Sequence, residues 1–255
     1  MATRPASGGG RWVEVAPERL PGFLTRFGER HGVLTWTAGA NAPDDTAGSG
    51  DDAAGNAVER ITVVAADGAV ADCEVPFPPL RIDPAAPYGG LLGHVAADRT
   101  VGVLLVRRGG YAAGVFTGTR LLASKVGSRH VQGRTAAGGW SQQRFARRRA
   151  GQAREAGQAA ADVAADVLLA HLPDLAAVVA GGDRRACDEV LADRRLAPLQ
   201  PLLVSRRLTV PDPRQRVLLA TPQQFRAVRI RIDDPAVPAL AEPPTDRHEP
   251  PTPLG

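Results

Sequence analysis

Three β-rich runs follow one another at residues 100–106, 111–117 and 120–126, separated only by Arg107-Arg108-Gly109-Gly110 and by Gly118-Thr119. Connections this short cannot cross over a sheet, so the runs must pair as an antiparallel meander. Residues 127–139 then hold four glycines without periodicity, a loop of about a dozen residues that is long for a compact domain. Ser141, read as an N-cap, opens a helical pattern to about Leu172, with Phe145, Ala156, Ala160, Val163, Val167 and Leu168 on one face, and Pro173 ends it. Residues 175–180 read as a short apolar strand, 183–192 as a helix, and 202–210 and 225–232 as further strands, while 217–220 fits either state. A meander followed by alternating helix and strand predicts an α/β (α+β) mixed sheet with flanking helices.

The earlier part of the chain reads as a small α+β module. Residues 12–15 form a strand, and 17–30 a helix with Leu20, Phe23, Leu24 and Phe27 at helical spacing; 33–37 suggests another strand. Residues 60–65 and 69–75 flank Asp67-Gly68, a hairpin turn signal. Residues 38–57 carry almost nothing large and apolar and read as a mobile insertion, and the proline-rich stretch 76–87 as a boundary. The expected organisation is a disordered start at 1–10, an α+β module at 11–90, a second domain at 91–234 and a disordered tail at 235–255. At 255 residues and 44% hydrophobic content, one substantial core plus an accessory one is within reach.

Cys73 and Cys187 stand far apart without metal-ligand spacing, so reduced, buried thiols are expected rather than a zinc site or a disulfide framework. The first ten residues hold no apolar run, and no stretch is long enough to span a bilayer. A cytoplasmic monomer without a membrane partner is the expectation.

Charge points to the partner. From Arg99 to Arg154 there are eleven arginines and one lysine with no Asp or Glu, although the whole chain carries only +4. Concentration of one sign in one segment suits a polyanion. Within it Gly138-Gly139-Trp140-Ser141-Gln142-Gln143 runs into Arg144, Arg147, Arg148 and Arg149. Four arginines in the first two turns oppose the helix dipole, where acids would be favoured by a few tenths to about 1 kcal/mol each. A bound phosphate backbone relieves that repulsion and uses the free N–H groups of the helix start. Arg129, His130 and Arg134 on the preceding loop extend the same patch; a solvated basic helix face is the alternative. A glutamine is no general base near neutral pH, but its amide orients water, and neighbouring backbone N–H groups stabilise a developing oxyanion.

These residues resemble a known tip. Gly138 to Arg149 is similar to the segment of eukaryotic and archaeal class-1 peptide release factors in which a Gly-Gly-Gln tip is followed by Ser and an Arg-Phe-Ala-Arg helix start, and residues 125–192 resemble the catalytic-tip domain of that superfamily. The resemblance, over residues 91–233, is closest to the Vms-like release-factor branch of ribosome quality control, whose tip reads Gly-Ser-Gln, and specifically to its actinobacterial peptidyl-tRNA hydrolases. Aligned on Arg144-Phe145-Ala146-Arg147, Trp140 takes the place of the release-factor glutamine; aligned on the Ser-Gln tip, Ser141-Gln142 is the match and Gln142 the catalytic candidate, with Gln143 as the alternative. Trp140 either stacks on a nucleotide base or packs the helix start.

The resemblance implies an RNase H-like fold, the large ribosomal subunit (rRNA) and peptidyl-tRNA as partners, and no metal or cofactor. It assigns Gly138, Gly139, Ser141, Gln142 and Gln143 to a catalytic tip, and Arg129, His130, Arg134, Trp140, Arg144, Arg147, Arg148 and Arg149 to RNA contact. A metal-dependent nuclease needs a carboxylate cluster, and residues 99–126 contain none. Two alternatives stand beside peptidyl-tRNA hydrolysis: metal-free cleavage in the tRNA acceptor end, and a noncatalytic RNA-binding or ribosome-binding factor.

Overall fold

The computed structural model describes residues 3–6, 9–39, 57–107, 110–128 and 141–234. In the N-terminal part, β1 (Thr3–Pro5) and β2 (Arg11–Val15) pair antiparallel, and Pro17 leads through a 3-10 turn into α1 (Leu20–His31). Leu20, Phe23, Leu24 and Phe27 are buried on the one apolar face of α1. β3 (Leu34–Gly39), β5 (Arg60–Ala65) and β6 (Val70–Glu74) form a meander, and a two-stranded ribbon pairs β4 (Ala57–Val58) with β7 (Leu80–Arg81). The β5–β6 turn is Asp67-Gly68, with Gly68 at φ +89° as such a hairpin requires. The insertion predicted at 38–57 lies mostly outside the described residues; its first two residues end β3 and its last begins β4. β2 and β6 do not touch, and a strand from elsewhere must fill the space between them.

After α2 (Leu91–Ala96), whose Leu91 and Val95 still pack into this first core, the mixed sheet begins. β8 (Thr100–Arg107), β9 (Gly110–Thr117) and β10 (Arg120–Ser128) are the predicted meander. α3 (Ser141–Leu168) follows, extended by a 3-10 segment to Asp174. β11 (Ala177–Gly182) pairs parallel to β8; α4 (Arg184–Leu191) then leads to β12 (Leu203–Leu208), parallel to β11. The order β10-β9-β8-β11-β12 buries both faces, α3 and α4 covering one and α5 (Gln215–Leu219) with α6 (Pro222–Phe225) the other. The ambiguous run at 217–220 is thus helical, with Leu218 seated on Gly114 of β9. Two sheets, with helices on each, make the chain a mixed α/β protein.

The last strand corrects the sequence reading. The 225–232 run was assigned to the mixed sheet, but β13 (Val228–Asp233) lies between β2 and β6 in the first sheet, antiparallel to both. Its alternation explains why. Val228, Ile230 and Ile232 enter the core over α1, while Arg229 on the other face sits between two acids, 3.1 Å from Glu74 and 4.0 Å from Glu14, with its guanidinium 4.8 Å from the Trp12 ring centroid. The two sheets are joined by Phe225, which packs edge-on against both Phe77 and Phe116, and by Arg206, which donates to the Ala227 carbonyl. Both cysteines are buried and free as predicted, and burial pushes the Cys73 thiol up to about 12. No helix among the described residues is long and apolar enough to cross a membrane. Ile230→Ala should cost about 2–5 kcal/mol, read as a lower urea midpoint, since this fully buried side chain fills the centre of a sheet assembled from both ends of the chain.

Candidate functional site

The geometry of the tip region starts at one end of the mixed sheet. Arg107, Gly110 and Ser128 stand in one cross-strand row there, because β8 and β10 end where β9 begins. α3 runs antiparallel to β8: Leu168 packs over Gly102 near the far end of the sheet, while Ala153 and Ala156 lie beside Gly110 and Tyr111 at the near end. The buried stripe of α3 is Ala156, Ala160, Ala161, Val163, Ala164, Val167 and Leu168. Residues 141–152 precede the turn of α3 that lies at this near end, a helical stalk of about 18 Å at 1.5 Å per residue.

Ser141, Gln142, Gln143, Arg144, Arg147, Arg148 and Arg149 all fall on the first three turns of this stalk, and Ser141 is the first helical residue rather than the flanking cap. Gly138, Gly139, Trp140, Arg129, His130 and Arg134 lie outside the described residues. The structure thus brings seven of the thirteen candidates onto one helix end, at a distance from the core.

The half of α3 beyond the root of the stalk is held by packing and by two surface ties. Lys125 on β10 donates to Asp166 at 2.9 Å, and Arg195 donates to both Asp162 and Asp193 at 2.8 Å. The guanidinium of Arg195, and then its backbone N–H, hold the Asp193 carboxyl at about 2. Within the row Arg107-Gly110-Ser128, Gly110 packs on Pro213 and the Arg107 guanidinium donates to the Val210 carbonyl, so the exposed Arg214 and Arg216 follow close to the same end of the sheet. Sequence reading had signalled Arg107 through the acid-free run but not Arg214 and Arg216, which lie outside it. Among the described residues no group of three His, Cys, Asp or Glu side chains converges.

Where β10 hands over to the tip, Gly127 pairs directly with Tyr111. The tyrosine ring lies flat across the glycine, and a Cβ added at 127 would meet Tyr111 Cε2 at 2.5 Å and its hydroxyl at 2.6 Å. Only glycine lets the ring lie there and fix the last turn of strand before the tip.

Two predictions follow from these contacts. Gly127→Ala should destabilise the protein by about 1–3 kcal/mol through overpacking, and the same change made in a Tyr111→Ala background should cost much less, which a double-mutant cycle in urea measures. The folded Asp193 carboxyl lies below its ordinary 3.8, so its tie contributes above about pH 4 and is lost as pH falls through about 2. Asp193→Asn should therefore lower the melting temperature at pH 7, with the difference from the parent shrinking over pH 4 to 2.

A family model described as Actinobacteria/chloroflexi VLRF1 release factor matches residues 99–231. No curated protein matches the chain. Among solved structures, similarity is found to an archaeal translation termination factor, aRF1, at 16% identity over 64% of this chain and 51% of that one, with a TM-score of 0.34. A structure titled "Archaeal protein" matches at 18% identity over 64% of this chain and 52% of that one, TM-score 0.33. The Vms1 mitochondrial localization core matches at 10% identity over 67% of this chain and 75% of that one, TM-score 0.41. The chain spans about half the length of the first two.

Proposed function

Because the chain belongs to the Actinobacteria/chloroflexi VLRF1 release factor family, we propose that it hydrolyses peptidyl-tRNA on obstructed large ribosomal subunits, with Gln142 as the residue that positions water. The observation that carries this reading is the stalk: Ser141-Gln142 stands at the outer end of a helix whose other half is clamped to the mixed sheet. A group on such a lever reaches into a site built by another molecule without bringing the bulk of the protein with it.

The chemistry asked of the chain is modest. The neutral amide of Gln142 accepts from and donates to a water molecule and orients it toward the ester carbonyl carbon. The water oxygen bonds to that carbon, the bond to the ribose oxygen breaks, and the ribose oxygen takes the proton. N–H groups at the start of α3 lack intrahelical acceptors and carry partial positive charge, which favours the oxyanion that develops during attack. Arg144, Arg147, Arg148 and Arg149, with Arg129 and Arg134, hold RNA phosphates and set the depth to which the tip enters. The partner is thus the RNA of the large subunit and the tRNA it carries, and the protein acts in ribosome rescue as a monomer of the cytoplasm.

Purified protein incubated with stalled large subunits bearing peptidyl-tRNA should liberate the peptide and leave a tRNA with an intact CCA end. Gln142→Ala should slow release by about 100-fold or more, the size of effect seen when an oriented polar group is removed from a transition state, while cosedimentation with the subunit is retained. Gln143→Ala should release peptide at near the parent rate. Full release by Gln142→Ala would overturn the assignment; a trimmed 3′ end would make the activity a nuclease, and binding without either product would make the protein a noncatalytic factor.

A further inference from the structure

At the root of the stalk the connections of the mixed sheet part company. β8 turns back into β9 on one side, whereas β11 leads through α4 to β12 on the other. Adjacent parallel strands whose connections leave in opposite directions open a crevice beyond their carboxyl ends, and open α/β sheets hold ligands in such crevices. Here the crevice has a volume of about 330 Å³, enough for one flat ligand of nucleoside size. α3 and α4 form its walls.

The lining is specific in shape and chemistry. Ala153, Ala156 and Gly157 leave the α3 wall flat, and a Cβ built on Gly157 meets no atom within 4 Å. Tyr111 contributes an aromatic surface at the end of the sheet, and Val190 an apolar one on α4. The charged groups come from α4 and its N-cap. Asp183 Oδ1 accepts from the Ala186 N–H at 2.9 Å, and Arg185 Nε donates to Glu189 Oε1 at 2.9 Å, both of these side chains being exposed. Flat apolar walls, carboxylates that accept from an exocyclic amine or ring N–H, and a guanidinium able to meet a neighbouring phosphate suit a base with its backbone attached. An aliphatic side chain would use the walls and leave the charges idle.

We propose that this crevice receives a single unpaired nucleobase of RNA. The inference rests on the reading that RNA is the partner, and it adds a second point of contact at the opposite end of the stalk from Gln142. With one base seated at the root, the tip acquires a fixed distance from a fixed nucleotide. The tip then works as a measured reach.

The test is binding of a 12-nucleotide single-stranded RNA, and of a blunt duplex of the same sequence, to the full chain by fluorescence anisotropy across a salt series. Gly157→Leu fills the crevice from a position with open space, and leucine is a better helix former than glycine, so the fold is kept. Single-strand affinity should fall about ten-fold, with duplex affinity unchanged and the slope of log K against log salt reduced by no more than the one phosphate contact that Arg185 makes beside the base. Gly157→Ala, which leaves most of the volume free, should bind like the parent. Undiminished single-strand affinity in Gly157→Leu, or an equal loss for the duplex, would overturn the proposal.

A second arm locates the base: weaker binding to large subunits with and without tRNA alike assigns it to ribosomal RNA, and a loss confined to tRNA-bearing subunits assigns it to tRNA. Peptide release is not a readout in either arm. A chain that fails to release peptide but loses single-strand affinity on Gly157→Leu keeps the crevice and refutes only the catalytic reading.

Discussion

The close approach of the small-residue face of α3 to the β8–β10 meander is the contact on which the rest of the arrangement hangs. Alanines at 156, 160 and 164 bring the helix backbone near the sheet, and Val163, Val167 and Leu168 fill the sides. An isolated helix of about a dozen residues is marginal in water because nucleation is costly. The stalk avoids that cost by continuing a helix already nucleated where it is packed, which lets residues 141–152 stay helical although four arginines oppose the dipole at their start. A loop of the same length would reach as far but would not hold a direction.

The two sheets divide the work. The mixed sheet carries the stalk at one end, while the first sheet, closed on one face by α1, shows on its other face a row of alternating charge, Glu14, Arg229, Glu74 and Arg60, in register across four strands. Opposite charges facing across strands support one register and penalise a slip. Phe77, Phe225 and Phe116 then lock this body to the mixed sheet through edge-on ring contacts, so force on the stalk is passed to both.

Local features were legible in the sequence because they follow from local rules. The β8–β10 meander is fixed by connections too short to cross over, the β5–β6 turn by Asp67-Gly68, and α1 by four apolar residues at helical spacing. The membership of β13 was not legible: its alternating Val-Arg-Ile-Arg-Ile pattern fits any half-buried position, and only Glu14 and Glu74, far away in sequence, decide where Arg229 finds its partners. The helix at 215–219 was hidden for a related reason, since the four-residue apolar run 217–220 has no period to read, and the matching feature is the absence of a side chain at Gly114. At the candidate site, the stalk residues were visible as a motif with an arginine block. The crevice was not, because its walls come from Val106, Gly110 and Tyr111, from 153–157 and from 183–190, none unusual by itself.

The position of β13 also governs the order in which the chain can take shape as it is made. Val15 must wait for Val228, about 200 residues later, a contact of very high sequence separation that is slow to form. Every strand of the mixed sheet is synthesised before β13, so the first sheet, although it begins at the N-terminal side, cannot be completed before the second has been made. Until β13 arrives, β2 and β6 hold out unpaired edges of the kind that recruit other chains. For as long as it is nascent, this chain therefore exposes two strand edges open to other chains, and its synthesis has to run to residue 233 to close them.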